Sequence, residues 1–237
     1  MTKIIKNDGS ETEDFKEILE EAKTYYTKLY RRPTNELTND IKASLDSLPK
    51  LSEGEANLLS GEITLAELTS VFKNAKSNKS PGTDGYTAEF LKCFWPELGH
   101  LVVKSINDGF NLGDMSATQK EGLIILLPKG EKTKTLLKNW RPITLLNVIY
   151  KLASGAIANR LKKVLTRLIH PDQRGFLAGR FTGDNIRLVY DVLDHSMRHQ
   201  QRGLLLLIDF EKAFDSISWE FVHDVLRIFK FSENFSK

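Results

Sequence analysis

This chain is poor in cysteine: Cys93 is its one thiol, so no disulfide can form within it. That composition fits a reducing compartment. No apolar run approaches the ~20 residues that a membrane helix needs. The start, MTKIIKNDGSETEDF, lacks the apolar core of a secretory leader. The histidines at 100, 170, 195, 199 and 223 have no HExxH or Cys/His spacing, so zinc is not expected. A glycine-rich phosphate loop and an internal repeat are also missing. These absences point to an intracellular protein, in cytoplasm or nucleus, with no membrane partner. Cys93 itself reads as a helix residue facing apolar neighbours. What is present is ordinary for a folded core: 41% apolar and 27% charged residues over 237 positions.

The net charge of +3 hides an asymmetry. Between Lys120 and Arg180 there are thirteen Lys/Arg against three Asp/Glu, a local charge of +10, and the remainder carries −7. A basic segment in a mildly acidic chain suggests contact with a polyanion, nucleic acid or a nucleotide phosphate. The solvated face of an amphipathic helix would look the same.

Periodicity sets out the elements. Residues 1–12 have few apolar groups and read as disordered. Phe15, Ile18, Leu19, Ala22, Tyr25, Tyr26, Leu29 and Tyr30 recur at helical spacing, ended by Arg31-Arg32-Pro33. A short helix near 39–47 follows. Ser52 with Glu55 and Thr64 with Glu67 form capping-box pairs. SNKSPGTDG at 77–85 is a loop by composition. Helices are expected from Thr87 and over 96–112. Gly122–Leu127 and Trp140–Leu145 read as strands that could pair as a hairpin with a basic tip. Asn147–Ile169 is the clearest helix, with Lys151, Arg160, Lys162, Lys163 and Arg167 among its exposed positions. Residues 171–183 form a Gly/Arg loop. Helices over 185–201, with Ile186, Val189, Tyr190 and Leu193 on one side, and from Ser218 complete the pattern.

Between those last helices lies LLLLIDFEKAFD, 204–215. An apolar run of this length is a buried strand or a piece of buried helix. Gly203 before it and the charges after it favour a strand over 204–208, running into Asp209. A carboxylate at a strand end is costly unless paired, and such positions often hold a metal or ligand. A simple turn cap remains the alternative.

Four segments stand in a recurring order: LPK at 127–129, NWRPITLLNVIYKLASGAIANRL, HPDQRGFLAGRFTGDNI and LLLIDFEKAFDSI. NKSPGTDG, followed by an EFLK helix, precedes them. This order resembles the reverse transcriptases of non-LTR retrotransposons, over about 65–229. The resemblance implies an α+β fold, the fingers and partial palm of a right-hand polymerase, helix-rich with a short antiparallel sheet. It implies RNA-directed DNA synthesis by two-metal nucleotidyl transfer, with Mg²⁺, an RNA template, a DNA primer and deoxynucleoside triphosphates. On that basis Asp209 is the first metal-binding aspartate, with the Phe210 carbonyl as a second ligand. Lys129 and Arg141 hold the triphosphate, and Phe214 is the ring beneath the incoming sugar that excludes a 2′-hydroxyl. Gln173, Arg174, Gly175, Phe176 and Arg180 approach the template. A core role is the alternative for Phe176 and for Phe214, with the gate preferred for Phe214. Asp215 is expected to cap or pair near the next helix, with no metal role.

The resemblance is incomplete. No F/Y-x-D-D sequence follows Asp209. The expected organisation is an N-terminal helical extension over 1–60, partly disordered, a helical lead-in over 61–119, and a reverse transcriptase domain over 120–237 truncated before the second catalytic motif. The expectation is an incomplete domain, inactive alone. The alternative is a non-catalytic RNA- or DNA-binding protein derived from a retroelement.

Overall fold

The computed structural model describes residues 2–31, 39–130, 132–210, 213–215 and 217–236. In chain order the elements are β1 (Ile4–Ile5), β2 (Glu11–Thr12), α1 (Phe15–Tyr30), α2 (Asn39–Asp46), α3 (Glu53–Ser60), α4 (Leu65–Lys73), α5 (Ala88–Cys93), α6 (Trp95–Leu112), α7 (Ala117–Lys120), β3 (Gly122–Pro128), β4 (Trp140–Leu146), α8 (Val148–Leu168), α9 (Gly183–Arg198), α10 (Trp219–Ile228) and α11 (Glu233–Ser236). Strands β1 and β2 pair antiparallel, as do β3 and β4. The chain is thus helix-rich with short antiparallel sheets. Two compact units divide it: residues of 1–34 and 62–156 form the first, and those of 35–61 and 157–236 the second.

Local chemistry explains the helix starts. Asp14 accepts from the backbone N–H groups of Lys16 and Glu17 and opens α1. Both expected capping boxes form, at Ser52/Glu55 and Thr64/Glu67. Ser116/Gln119 supplies another, ahead of α7. Each such cap stabilises its helix by ~1 kcal/mol. Helix α1 closes at Arg31, and the rest of the expected Arg-Pro stop lies outside the described residues.

In the first unit, Ile63, Leu68, Phe72, Leu91, Val102, Ile106 and Leu152 are buried. Leu68 and Ile106 are fully enclosed, each side chain contributing ~2 kcal/mol. The Trp95 ring lies 4.8 Å from that of Phe72, and its indole N–H donates to Thr69 Oγ1. Asn107 is buried on α6, and its amide meets both backbone groups of Ile63 at 2.9 Å. That double bond satisfies a polar side chain that would otherwise be costly inside. Cys93 is exposed on the short α5, contrary to the apolar setting expected for it.

The SPGTDG loop is fastened at the end of β4. The Asn147 side chain, 3% exposed, donates to Thr118 O at 2.6 Å and accepts from Asp84 N–H at 3.4 Å. Gly82 lies against it so closely that a Cβ would collide with Asn147 Oδ1. That Cβ would also sit 2.5 Å from Asn147 N and 2.7 Å from Leu146 C. The glycine therefore serves a close backbone approach.

Residues 2–12 are ordered, which corrects the expectation of disorder. Ile4 is completely buried among Ile18, Ala22 and Leu137, and Ile5 N–H donates to Thr135 O at 2.8 Å. The composition of a window averages away one apolar anchor that finds a ready pocket.

The second unit is a small helical cluster. Leu51, Leu59, Val164, Leu168, Phe229 and Phe231 form its core. Arg160, expected on the exposed face of α8, is buried instead. Its Nη1 donates to Leu59 O at 3.0 Å and to Gly61 O, closing carbonyls at the C-terminus of α3. Arg167 forms a two-point pair with Glu55, at 3.1 and 2.6 Å.

Two other expectations fail here. Residues 204–208 carry no strand ladder, and their side chains are 53–93% exposed. A run apolar on both faces suits a central strand, which needs a neighbour on each edge. Among the described residues none is offered: β1–β2 and β3–β4 pair only within themselves. Helix α9 forms, yet Ile186, Tyr190 and Leu193 are exposed, because none of the described elements covers its apolar side.

Gly82→Ala is expected to destabilise the chain by about 2 kcal/mol or more through overpacking against backbone. Gly54→Ala, with nothing within 4 Å of its Cβ in α3, should be neutral or slightly stabilising. Urea unfolding of the two variants checks the contrast. Glu55 is held below the ordinary glutamate range, first by the Ser52 N–H and hydroxyl and then by Arg167. A depressed carboxyl contributes stability above its unfolded value and loses it as pH falls through the folded one. Glu55→Gln should therefore be less stable than wild type near neutrality, with the difference closing on acidification. Urea midpoints between about pH 7 and about pH 3 measure this.

Candidate nucleotide and template site

The β3–β4 hairpin runs in register from Gly122↔Leu146 at its base to Pro128↔Trp140 at its tip, with Leu127 opposite Arg141. Lys129 is the first residue beyond β3. Its backbone N–H donates to Asn139 O and its Nζ to Lys138 O, each at 2.8 Å. Arg141 projects from the start of β4 and is exposed. The register sets Arg141 two residues back from Lys129 across the ladder, so both cations belong to one end of the hairpin.

The connecting loop is built from its own backbone. Asn139 Nδ2 donates to Thr133 O at 2.8 Å, and the Trp140 indole donates to Lys134 O at 2.9 Å. Trp140 is only 8% exposed. Lys132, Lys134 and Lys138 complete the charge of this tip. Trp140 was expected as the start of a strand and Asn139 as part of the NWRP motif, neither as a residue that shapes the site. A tryptophan directly before the expected phosphate-binding arginine was the available signal.

In the second unit, the loop after α8 is gathered by Arg180. Its Nη1 donates to His170 O and Gln173 O, and its Nη2 to Thr166 O and Ile169 O, at 2.6–2.8 Å. This guanidinium closes the α8 C-terminus and folds the loop on itself. Arg174 lies 3.7 Å from Asp184 in the first turn of α9, and its Nε is a buried donor with no hydrogen-bond partner among the described residues. Gln173 Nε2 reaches Gly175 O at 3.4 Å. Gly179 has φ +76°, which a glycine adopts freely. A Cβ at Gly175 would make only an ordinary 3.7 Å contact, so the local packing does not demand glycine there.

Phe176 is the outlier. It holds φ +63° and is 93% exposed. Its ring meets that of Phe214 edge-to-face, with centroids 5.9 Å apart and planes at 86°. Phe214 is itself 81% exposed, so neither ring is a core residue in this structure.

Residues 127–236 match the family described as reverse transcriptase (RNA-dependent DNA polymerase). An uncharacterised 149 kDa protein of transposon TX1 from Xenopus laevis is 35% identical over 236 residues, covering 99% of this chain and 18% of that protein. The Pol polyprotein of the type-1 retrotransposable element R1 from Bradysia coprophila is 28% identical over 204 residues, 82% of this chain and 20% of the relative. A probable RNA-directed DNA polymerase from transposon BS of Drosophila melanogaster is 26% identical over 221 residues, 90% and 23% of the two. Through these matches the chain is similar to the reverse transcriptases of non-LTR retrotransposons. It spans about a fifth of the length of these relatives.

Within the matched residues, the hairpin brings Lys129 and Arg141 to one end, and the second unit brings Phe176 to Phe214. Asp209 and Phe210 lie in the extended, exposed stretch that replaces the expected strand. Among the described residues no group of three His, Cys, Asp or Glu side chains gathers to hold a metal ion. One exposed carboxylate is a poor seat for Mg²⁺, which binds in octahedral geometry through carboxylates and substrate phosphates. The donor set described here therefore does not fit a two-ion centre. No helix among the described residues is long and apolar enough to cross a membrane.

Arg180→Ala should free four carbonyls and loosen the loop while α9 itself persists. Amide exchange over 169–182 is expected to quicken roughly tenfold, and Arg180→Lys should not restore it, because an ammonium lacks the planar fork. Unchanged exchange would show that the clasp is dispensable.

Proposed function

We propose that this chain handles the nucleotide and template in an RNA-directed DNA polymerase, as the fingers and first part of the palm of a right-hand fold. The observation that carries the reading is the hairpin end bearing both Lys129 and Arg141, at the edge of the segment that matches the reverse transcriptase family. Lysine supplies a compact charge and arginine a planar two-point donor, and both suit the oxygens of a triphosphate. Lys129 exchanges its contact with the Lys138 carbonyl for a phosphate oxygen when nucleotide arrives.

In this reading Phe214 lies beneath the sugar of a deoxynucleoside triphosphate and rejects a 2′-hydroxyl by its bulk. Gln173, Arg174, Gly175 and Phe176 face an RNA template paired with a DNA primer, the exposed Phe176 ring offering a stacking surface. Arg180 serves that loop by holding its shape. Asp209, with the Phe210 carbonyl, contributes one carboxylate toward Mg²⁺. Further acidic ligands are required, so no chemical step is assigned to the described residues.

The basic tip of the hairpin, Lys129, Lys132, Lys134, Lys138 and Arg141, also suits one other reading, a retroelement-derived protein that binds RNA or DNA without chemistry. The two readings differ in their response to nucleotide. Under the first, dTTP raises the melting temperature of the chain, and Arg141→Ala weakens its binding at least about tenfold, with Lys129→Ala weakening it less. Under the second, RNA binding falls steeply with salt and dTTP has no effect. Primer extension by the 237-residue chain is expected to be undetectable. Magnesium-dependent incorporation abolished by Asp209→Ala would overturn that expectation.

A further inference from the structure

The loop that joins β3 to β4 carries the cations of the hairpin tip, yet its shape is not set by the hairpin alone. The N-terminal arm grips it at three places. Ile5 N–H donates to Thr135 O at 2.8 Å, adding a backbone bond between β1 and the loop. Ile4 is fully buried against Leu137 of the loop, together with Ile18 and Ala22 of α1, and Tyr25 and Leu126 pack on the same cluster. The Tyr26 hydroxyl reaches Trp140 O at 3.4 Å, one residue before Arg141. The arm is itself tied down. Lys6 Nζ pairs with Glu17 at 3.2 Å, and Asn7 N–H donates to Glu21 at 3.0 Å.

We propose that β1 and α1 form a latch that positions the tip of the β3–β4 hairpin for a triphosphate, with Ile4 and Tyr26 as positioning residues. The grip falls between the cations: Thr135 and Leu137 lie between Lys134 and Lys138, and Trp140 adjoins Arg141. Without the latch the connection, eleven positions long, keeps only its own turn at Leu137–Asn139 and the bonds of Asn139 and Trp140 to Thr133 O and Lys134 O, and more arrangements are open to it. Anchoring it across more than 100 residues of sequence removes that freedom before nucleotide arrives. Pre-organisation of this kind strengthens binding by lowering the ordering cost. Neither residue touches the ligand in this scheme. The proposal rests on reading the hairpin tip as a triphosphate site.

The test uses the full chain and an Ile4→Asp variant, whose buried carboxylate expels the arm. Hydrogen exchange over 132–140 is read against the amides of Ile63–Asn107 as internal reference, and dTTP affinity is measured by titration calorimetry. The expected result is loop exchange about tenfold faster with an unchanged reference, and dTTP binding weakened about tenfold. Ile4→Val should behave as wild type on both counts. If the reference amides also loosen, Tyr26→Phe, which keeps the ring, is read in the same way for a smaller change of about threefold. Unchanged loop exchange overturns the latch, as does faster exchange with undiminished dTTP affinity. Faster loop exchange in a chain whose wild type binds no dTTP upholds the latch and discards the triphosphate reading.

Discussion

A single buried amide organises the base of the hairpin. Asn147 stands where β4 passes into α8, and its side chain joins the SPGTDG loop to Thr118 of α7. Gly82 is the other half of this joint, since any side chain there would force the two backbones apart. A hairpin of two strands is marginal alone in water. Fixed at its base by Asn147 and at its far end by the N-terminal arm, it becomes a directed support, and the direction of Lys129 and Arg141 follows from those fixtures.

The sequence revealed helices better than it revealed what covers them. Capping boxes and apolar stripes are local, so α1, α6 and α8 could be read with boundaries close to those observed, and the starts of α3 and α4 from their caps. The hairpin was legible because two apolar runs flank a polar basic stretch. Burial depends on partners far along the chain. That is why Arg160 was misread on the solvent side of α8, and why the N-terminal residues seemed too polar to fold. It is also why the apolar side of α9 and the run from Leu204 to Ile208 were expected under cover that the described residues do not supply.

The candidate site divides along the same line. The excess of positive charge between Lys120 and Arg180 is real, but its members do different work. Arg160 and Arg180 bind backbone carbonyls, Arg167 binds Glu55 and a carbonyl, and Lys120 pairs with Asp114. A charge count cannot tell a guanidinium that seals a helix end from one that faces a ligand. Lys129, Arg141 and the three lysines of the tip lie together on one hairpin end. Charge density alone does not single them out, whereas the residue order that resembles the family does.

Phe176 carries a consequence of its own. An L-residue with a Cβ in the left-handed region stores ~1–2 kcal/mol of backbone strain, and this ring returns little of it by burial, being almost fully exposed. Glycine would relieve the strain at once. The chain is therefore less stable at this position than its backbone permits, and the loop would gain stability by losing the ring. Such a locus sets backbone strain against a side-chain contact: a hardier fold and the aromatic contact with Phe214 pull this one position in opposite directions.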